Sequence, residues 1–356
     1  MKFKWILLIF LGACKSTTQT EQAGLKSSSD IIWQNCEQTP LPSHSNVPWK
    51  NIGNRTQNAV AKPDHRSNDG ITTTGHAESF VVRSFFGWQV GPLRTPIIGE
   101  DIASYLDTCG NQLVELGQQT TDKKGQVDTI LEPKVVGNLG PGVYKLHHKL
   151  LANGQNTSSY LHILPRGQKA AMIDIDGTLT TGDSEVYQEA FKRYLSESID
   201  ATIVLNKLSS WFQDNLSYVG KAYEGASDFT KRIKERGYYP LYITGRPFIV
   251  NELTRNWLAQ LPAAKGYIKL APTLNDALPS NENVGAYKVR ELRSIQSKGI
   301  DIVIGVGNST TDIFAFATHG IALDKSFIIG KNAGKDGTVA FDSYQNFPWE
   351  NIPPAQ

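Results

Sequence analysis

Three continuous apolar runs in the second half of the chain each stop at a cluster of small polar residues. Ala170 to Ile173 ends at Asp174-Ile175-Asp176-Gly177-Thr178, Tyr238 to Ile243 at Thr244-Gly245-Arg246-Pro247, and Ile300 to Val306 at Gly307-Asn308-Ser309-Thr310-Thr311-Asp312. Runs of that length bounded by turn residues read as buried strands that finish where the polar residues begin. Helical spacing lies between them: Phe229 and Ile233 before Gly237, then Asn251 to Gln260, then Val284 to Ser297. Strands alternating with helices predict an α/β domain on a parallel sheet, set here at residues 167–356. From Asp183 to Tyr223 the apolar residues repeat at four, as in Val186, Ala190, Tyr194 and Val204, Leu208, Phe212. That stripe is first a packing device.

The amino-terminal half has a different rhythm. ESFVVRSFFGW, DIASYLD, NQLVELGQQ, QVDTIL, GVYKLHHKLL and SSYLHILP are each of strand length and are divided by turns such as Asp122 to Gly125 and Asn153-Gly154. This predicts a small β-sandwich over residues 75–166. Pro141-Gly142-Val143-Tyr144 resembles the tyrosine corner of immunoglobulin-like sandwiches. His147 and His148 are adjacent on one strand and so face opposite ways, a poor metal pair; a solvated strand is the expectation for them. Residues 15–74, rich in Ser, Pro, Asn and His towards their end, read as a tether and a loop-rich lead-in that lies against the sandwich.

Composition narrows the class. With 356 residues, 40% hydrophobic and 20% charged, the chain has a globular balance and room for two domains. A net charge of +2 gives no basic footprint for nucleic acid. The opening MKFKWILLIFLGACKSTTQT has two lysines, a short apolar run and small residues, the pattern of a secretory signal too short to span a bilayer. Leu11-Gly12-Ala13-Cys14 resembles a bacterial lipobox over residues 1–14, and a Ser/Thr/Gln-rich tether follows it. The expectation is acylation of Cys14 and anchorage at a cell-envelope membrane, with an ordinary signal peptide as the alternative. Cys36 and Cys109 then remain, either as a disulfide or as two buried thiols.

The chemistry concentrates at Asp174 and Asp176. Side chains two apart on an extended backbone point the same way, and two such anions need a cation or a shared proton between them. An isolated D-x-D is more often an acidic turn, but here the partners stand at the ends of the other two strands. Taken in order, DIDGTLT, GYYPLYITGRP, Lys288 on the helix before the third strand, and GNSTTDIFAF resemble the haloacid dehalogenase superfamily of phosphatases, over about Gly167 to Phe347. With FIIG at Phe327 to Gly330, the likeness narrows to its lipin-type branch, which includes lipin phosphatidate phosphatases and the end domain of membrane-associated phosphatidylinositol transfer proteins.

What the resemblance implies is specific. The fold is a Rossmann-like parallel sheet, with a similar sandwich preceding it in the transfer proteins, and the family's cap insertions fall after the first strand, which implies a small lid here carrying Trp211, Phe212, Leu216 and Tyr218. Asp174 is the nucleophile, Asp176 the general acid and base, Thr244 a phosphoryl-oxygen ligand and Lys288 the charge-balancing lysine, with Lys269 as its rival for that role. Gly177, Thr178, Gly245 and Arg246 are the substrate-binding candidates. Asp174, Asp176, Asn308 and Asp312 are the metal-binding candidates, and their hard oxygen donors suit Mg²⁺. The implied activity is Mg²⁺-dependent hydrolysis of a phosphomonoester through an aspartyl phosphate, on a lipid such as phosphatidic acid at a membrane surface. Two alternatives stay open: a non-catalytic phosphatidic acid-binding module, since the transfer-protein branch commonly replaces the first aspartate, and a lipoprotein acid phosphatase or nucleotidase acting on soluble substrates.

Overall fold

The computed structural model describes residues 39–43, 47–90, 93–108, 113–181 and 220–355. Cys14, Cys36, Cys109 and the expected lid with Trp211 and Phe212 lie outside the described residues.

Among the described residues eleven strands precede the parallel sheet: β1 (Lys62–Pro63), β2 (Arg66–Ser67), β3 (Gly70–Thr73), β4 (Phe80–Phe85), β5 (Gly87–Val90), β6 (Leu93–Pro96), β7 (Asp101–Asp107), β8 (Leu113–Thr120), β9 (Gln126–Leu131), β10 (Gly142–Leu150) and β11 (Asn156–Leu164). They form a five-stranded sheet in the order β3-β11-β10-β7-β8 and three-stranded sheets β2-β4-β9 and β1-β5-β6. Val82 and Leu131 from the β2-β4-β9 sheet meet Leu106, Leu146, Leu161 and Ile163 from the five-stranded sheet in a single cluster, so these two sheets pack face to face. Two short helices, α1 (Ile52–Asn58) and α2 (Pro133–Val136), lie among these strands. The Tyr144 hydroxyl donates to the Gly140 carbonyl at 2.9 Å, tying the strand to the corner before it.

Two expectations for this half are corrected. Sheet formation starts before residue 75, because β2 and β3 already pair with β4 and β11. Their short apolar and hydroxyl residues gave no alternating pattern to read. His147 and His148 are not solvated: β10 is an interior strand covered on both faces, and both side chains are buried. Leu41 and Val47 from the lead-in pack with Ala103, Tyr105 and Leu151, a cluster on the outer side of this sheet.

The second half is one six-stranded parallel sheet of β12 (Lys169–Ile173), β13 (Tyr239–Pro247), β14 (Tyr267–Ala271), β15 (Asp301–Gly307), β16 (Ser326–Ile329) and β17 (Val339–Phe341), in the order β14-β13-β12-β15-β16-β17. The helices among its described residues are α3 (Ala226–Glu235), α4 (Asn251–Gln260), α5 (Leu274–Ala277), α6 (Ala286–Ser297) and α7 (Thr310–His319). Alternate residues of the strands go to opposite faces. Ala170, Met172, Leu241 and Ile243 pack with Tyr287, Leu292 and Ile295 of α6 and Phe316 of α7, while Ala171, Ile173, Tyr242 and Val306 pack with Phe229 and Ile233 of α3 and Trp257 of α4. Ile71, Val143 and Leu164 of the sandwich belong to the first of these clusters. The two halves therefore share a core.

The chain runs outward from β12 through β13 to β14, then returns to the other side of β12 for β15. In such sheets the loops diverge where the order reverses, and the crevice they leave at the carboxyl ends of the strands is where ligands bind. That point lies between β12 and β15.

Candidate active site

Asp174 follows the last residue of β12, and its backbone N–H still donates to Val306 O on β15 at 2.9 Å, which fixes it at the reversal point. The chain then turns sharply at Gly177, where φ is +70°. The turn consumes its own donors: Gly177 N–H goes to Thr180 Oγ1 at 3.0 Å and Thr178 N–H to Ile175 O at 3.2 Å. The Thr178 hydroxyl, fully buried, donates to Asp174 Oδ2 at 3.4 Å. Gly177 and Thr178 thus shape the turn and hold Asp174, where the sequence suggested groups facing a substrate.

Lys288 reaches this point from α6. Its Nζ donates to Asp174 Oδ1 at 2.8 Å and to Asp312 Oδ1 at 2.5 Å, with all three side chains buried. The rival Lys269 is instead paired with Glu291 at 3.6 Å. Asp312 is the third residue of α7 and completes a capping box with Ser309, a local reason for the chain to turn helical here. Its Oδ2 accepts from Asn308 N at 3.1 Å, Ser309 N at 3.0 Å and Ser309 Oγ at 2.7 Å. Gly307 makes room for this, since a Cβ there would stand 2.6 Å from the Asp312 Cβ.

One buried ammonium thus serves two buried carboxylates, and the two fare differently. Burial opposes ionisation of Asp312, but Lys288 and the donors of Ser309 outweigh it and hold its pKa below the ordinary value. Burial is also the largest influence on Asp174; Lys288 pulls its pKa down, yet Asp312 and Asp176 push the other way, and it rises to about 7. Lys288 itself is pushed down by burial and up, more strongly, by Asp174 and then Asp312. The centre is short of positive charge at Asp174.

Asp176 is held from the β13 side. Arg246 Nε lies 3.1 and 3.0 Å from its two carboxylate oxygens and Nη2 lies 2.8 Å from Oδ1. Such a fork fixes orientation as well as charge. The Thr244 hydroxyl is fully buried, donates to Asp176 Oδ2 at 3.3 Å and accepts from Arg246 N at 3.2 Å. Thr244, expected to meet a phosphoryl oxygen, is engaged in this clamp, and Arg246, a substrate-binding candidate, lies on the cavity paired with Asp176.

These loops enclose a cavity of about 240 Å³ lined by, among others, Asp174, Asp176, Gly245, Arg246, Lys288 and Asn308. Ser309, Thr310, Lys331 and Asn332 also line it and were not singled out in the sequence. Asn332 Nδ2 donates to Asn308 O at 2.8 Å, so the segment after β16 braces the metal-candidate loop. The signal for these two was their place just beyond FIIG.

Among the described residues no three His, Cys, Asp or Glu side chains converge as a metal cluster. The oxygen donors on the cavity are nonetheless of the kind a hard cation takes: two carboxylates and the Asn308 amide. Burial first, and then the neighbouring Asp312 and Asp176 carboxylates, raise the Asp174 pKa, and a bound cation would oppose all three. Asp312 fits the role less directly than expected, because both its oxygens are committed to Lys288 and the capping turn.

Residues 171–330 match the family model described as PITM 1-3, LNS2 domain. The LNS2 domain has a haloacid dehalogenase-like, lipin-like fold. The chain is 27% identical over 290 residues to protein retinal degeneration B of Drosophila melanogaster, covering 79% of this chain and 20% of that protein. It is 25% identical over 326 residues to membrane-associated phosphatidylinositol transfer protein 3 of Mus musculus, covering 88% of this chain and 28% of that one. Membrane-associated phosphatidylinositol transfer protein 1 of Homo sapiens matches at 22% over 309 residues, 84% of this chain and 21% of that one. The chain therefore spans between a fifth and under a third of the length of these relatives. Among solved structures, a superoxide reductase from Ignicoccus hospitalis aligns with a TM-score of 0.20 at 15% identity, covering 39% of this chain and 99% of that one, and no argument rests on it.

Proposed function

We propose that the chain is a Mg²⁺-dependent phosphomonoester hydrolase that forms an aspartyl phosphate on Asp174 and acts on a lipid phosphate. The observation that carries this reading is the position of Asp174. It is a buried carboxylate on the cavity at the reversal point of the sheet, with the Lys288 ammonium 2.8 Å away. A phosphomonoester resists anionic attack because its own oxygens are negative, and a fixed cation beside the nucleophile offsets that repulsion. Bound at Asp174, the Asp176 main-chain carbonyl and Asn308, Mg²⁺ would supply further positive charge to the phosphoryl oxygens.

Asp174 must be ionised to attack, and Lys288 favours that form. A new Asp174 Oδ–P bond forms as the ester P–O bond breaks, and Asp176 gives the leaving oxygen a proton. Asp176, then a base, takes a proton from the water that cleaves the aspartyl phosphate. Arg246 holds Asp176 on one flank of the cavity for both steps, while Asp312 keeps Lys288 from collapsing wholly onto the nucleophile. The cavity has room for a phosphate and a small polar headgroup, which leaves acyl chains outside.

The lipid assignment takes support from relatives named as phosphatidylinositol transfer proteins. The same proposal includes an immunoglobulin-like character for the sandwich and anchorage of the chain at an envelope membrane through Cys14. Those names also favour a second reading, a module that binds phosphatidic acid without hydrolysing it. The deciding experiment compares kcat/KM for phosphatidic acid in mixed micelles, nucleoside monophosphates, sugar phosphates and p-nitrophenyl phosphate, with Mg²⁺ and with chelator. Chelator-sensitive turnover strongest on the lipid is expected. Saturable binding of phosphatidic acid vesicles with no turnover of any ester would establish the second reading, and preference for a soluble ester would end the lipid assignment.

A further inference from the structure

Among the described residues, every side chain lining the cavity lies at or beyond Asp174, and none comes from the sandwich. It does hold the element that carries the Asp176 clamp. Arg246 connects to α4 by a short link, Pro247 and the single helical turn Phe248–Val250. On one side of α4, Asn251 Nδ2 donates to Ser67 O of β2 at 2.8 Å, and Arg255 Nη2 donates to Asp69 Oδ1 at 2.8 Å. Arg255 Nε also donates to Asn251 Oδ1 at 3.1 Å, which joins the two contacts. The link is held as well: Arg94 Nη1 donates to Ile249 O at 3.4 Å, and the Arg66 guanidinium lies over the Phe248 ring at 5.8 Å.

Asp69 is a strong anchor. It is 4% exposed and sits between β2 and β3. Its Oδ1 also accepts from Tyr160 N on β11 at 2.8 Å, and its Oδ2 accepts from Ile268 N on β14 at 3.2 Å. A buried carboxylate with this many donors has one low-energy arrangement. On a neighbouring side of α4, Thr254 Oγ1 accepts from Arg246 Nη1 at 3.4 Å, and the Trp257 ring lies 5.6 Å from the Arg246 guanidinium. Residues 251 and 255 share one stripe of a helix, and 254 and 257 fall about 80° and about 140° round from its centre.

We infer that the sandwich is a positioning element for the site: Ser67 and Asp69, through Asn251 and Arg255, seat α4 so that Thr254 and Trp257 aim Arg246 at Asp176. None of the four sandwich-facing residues touches the reacting atoms. This deepens the phosphomonoester reading and rests on it for its kinetic consequence.

The test uses the full chain. Asn251→Ala should keep its circular dichroism spectrum, leave KM for p-nitrophenyl phosphate within about twofold and lower kcat by about tenfold to a hundredfold, the scale of a small misplacement of a catalytic group. In an Arg246→Ala background the same change should cost nothing more, because what it positions is gone. Thr254→Val should lower kcat and Thr254→Ser should keep it. Losses that add in the double variant, or an unchanged kcat in Asn251→Ala, would overturn the inference. A second readout does not need turnover: hydrogen exchange of the Arg246 Nε–H, followed by nuclear magnetic resonance, should quicken at least tenfold in Asn251→Ala and in Asp69→Asn as its bond to Asp176 loosens. If the wild type hydrolyses nothing, the hydrolase reading fails, and this exchange rate alone decides the positioning role: faster supports it, unchanged overturns it.

Discussion

The sandwich and the parallel domain both bury ionisable side chains, with different results. His148 has no exposure, its Nδ1 lies 2.9 Å from Ser104 Oγ, and burial, with His147 beside it, holds its pKa down at about 3. It stays neutral and acts as a polar core residue. Asp174 is nearly as enclosed, and burial, with a second buried carboxylate sharing its single ammonium, pushes its pKa up to about 7. A neutral ring with a hydroxyl partner on Nδ1 stays in the core even though its buried Nε2 has no partner among the described residues. A carboxylate that shares its cation stays poised between forms, and the nearby cavity gives it something to act on. The contrast separates burial that stabilises from burial that prepares chemistry.

The largest effect should come from the group the parallel domain leaves poised. Asp174→Asn keeps the shape and removes the nucleophile, so turnover of p-nitrophenyl phosphate should fall by about 10⁴-fold or more, with the melting temperature unchanged or higher. Full activity in this variant would falsify the aspartyl-phosphate mechanism.

Next comes the shared cation. Lys288→Met strands Asp174 and Asp312 without their ammonium and should cost about 3–5 kcal/mol of stability in a denaturant titration at neutral pH. Adding Asp312→Asn should recover part of it. No recovery would mean that Lys288 contributes packing and not charge balance.

The histidines give the pH test. Burial lowers the folded-state pKa of His147 to about 4, with Lys145 helping, and that of His148 to about 3. The unfolded chain therefore binds more protons below pH 6.5. The stability this represents is present above pH 6.5 and is lost as pH falls towards pH 3, at roughly 1 kcal/mol per pH unit for each histidine. His148→Gln, which can still bond Ser104, should flatten that acid limb. An unchanged slope would mean the ring is solvated after all.

The smallest effect is the corner of the sandwich. Tyr144→Phe removes the hydroxyl that bonds Gly140 and should cost about 1 kcal/mol without altering turnover, measured by thermal melting beside the p-nitrophenyl phosphate assay.

The order of strands and helices around Ala170, Tyr238 and Ile300 was legible because continuous apolar runs and turn residues are local signals, and Asn251 to Gln260 emerged with the bounds its spacing predicted. The convergence of Asp174, Asp176, Lys288 and Asp312 was anticipated from four ordered motifs. What each of them touches was not. Lys269 and Lys288 are both lysines near strands, and only the packing of α6 against the reversal point gives one to Asp174 and the other to Glu291. Arg246 read as a substrate-binding candidate, and only the turn after β13 shows that it pairs with Asp176. Gly177 and Thr178 looked like substrate ligands, but hydrogen bonds inside their own turn took the relevant groups. His147 and His148 read as solvated because alternation cannot reveal that both faces of a strand will be covered. Periodicity fixes which residues form an element and which way each side chain leaves it, since those depend on neighbours in sequence. Partners, burial and the charge each group can sustain depend on groups far away in the chain, such as the 186 residues between Asp69 and Arg255, and those the tertiary fold alone decided.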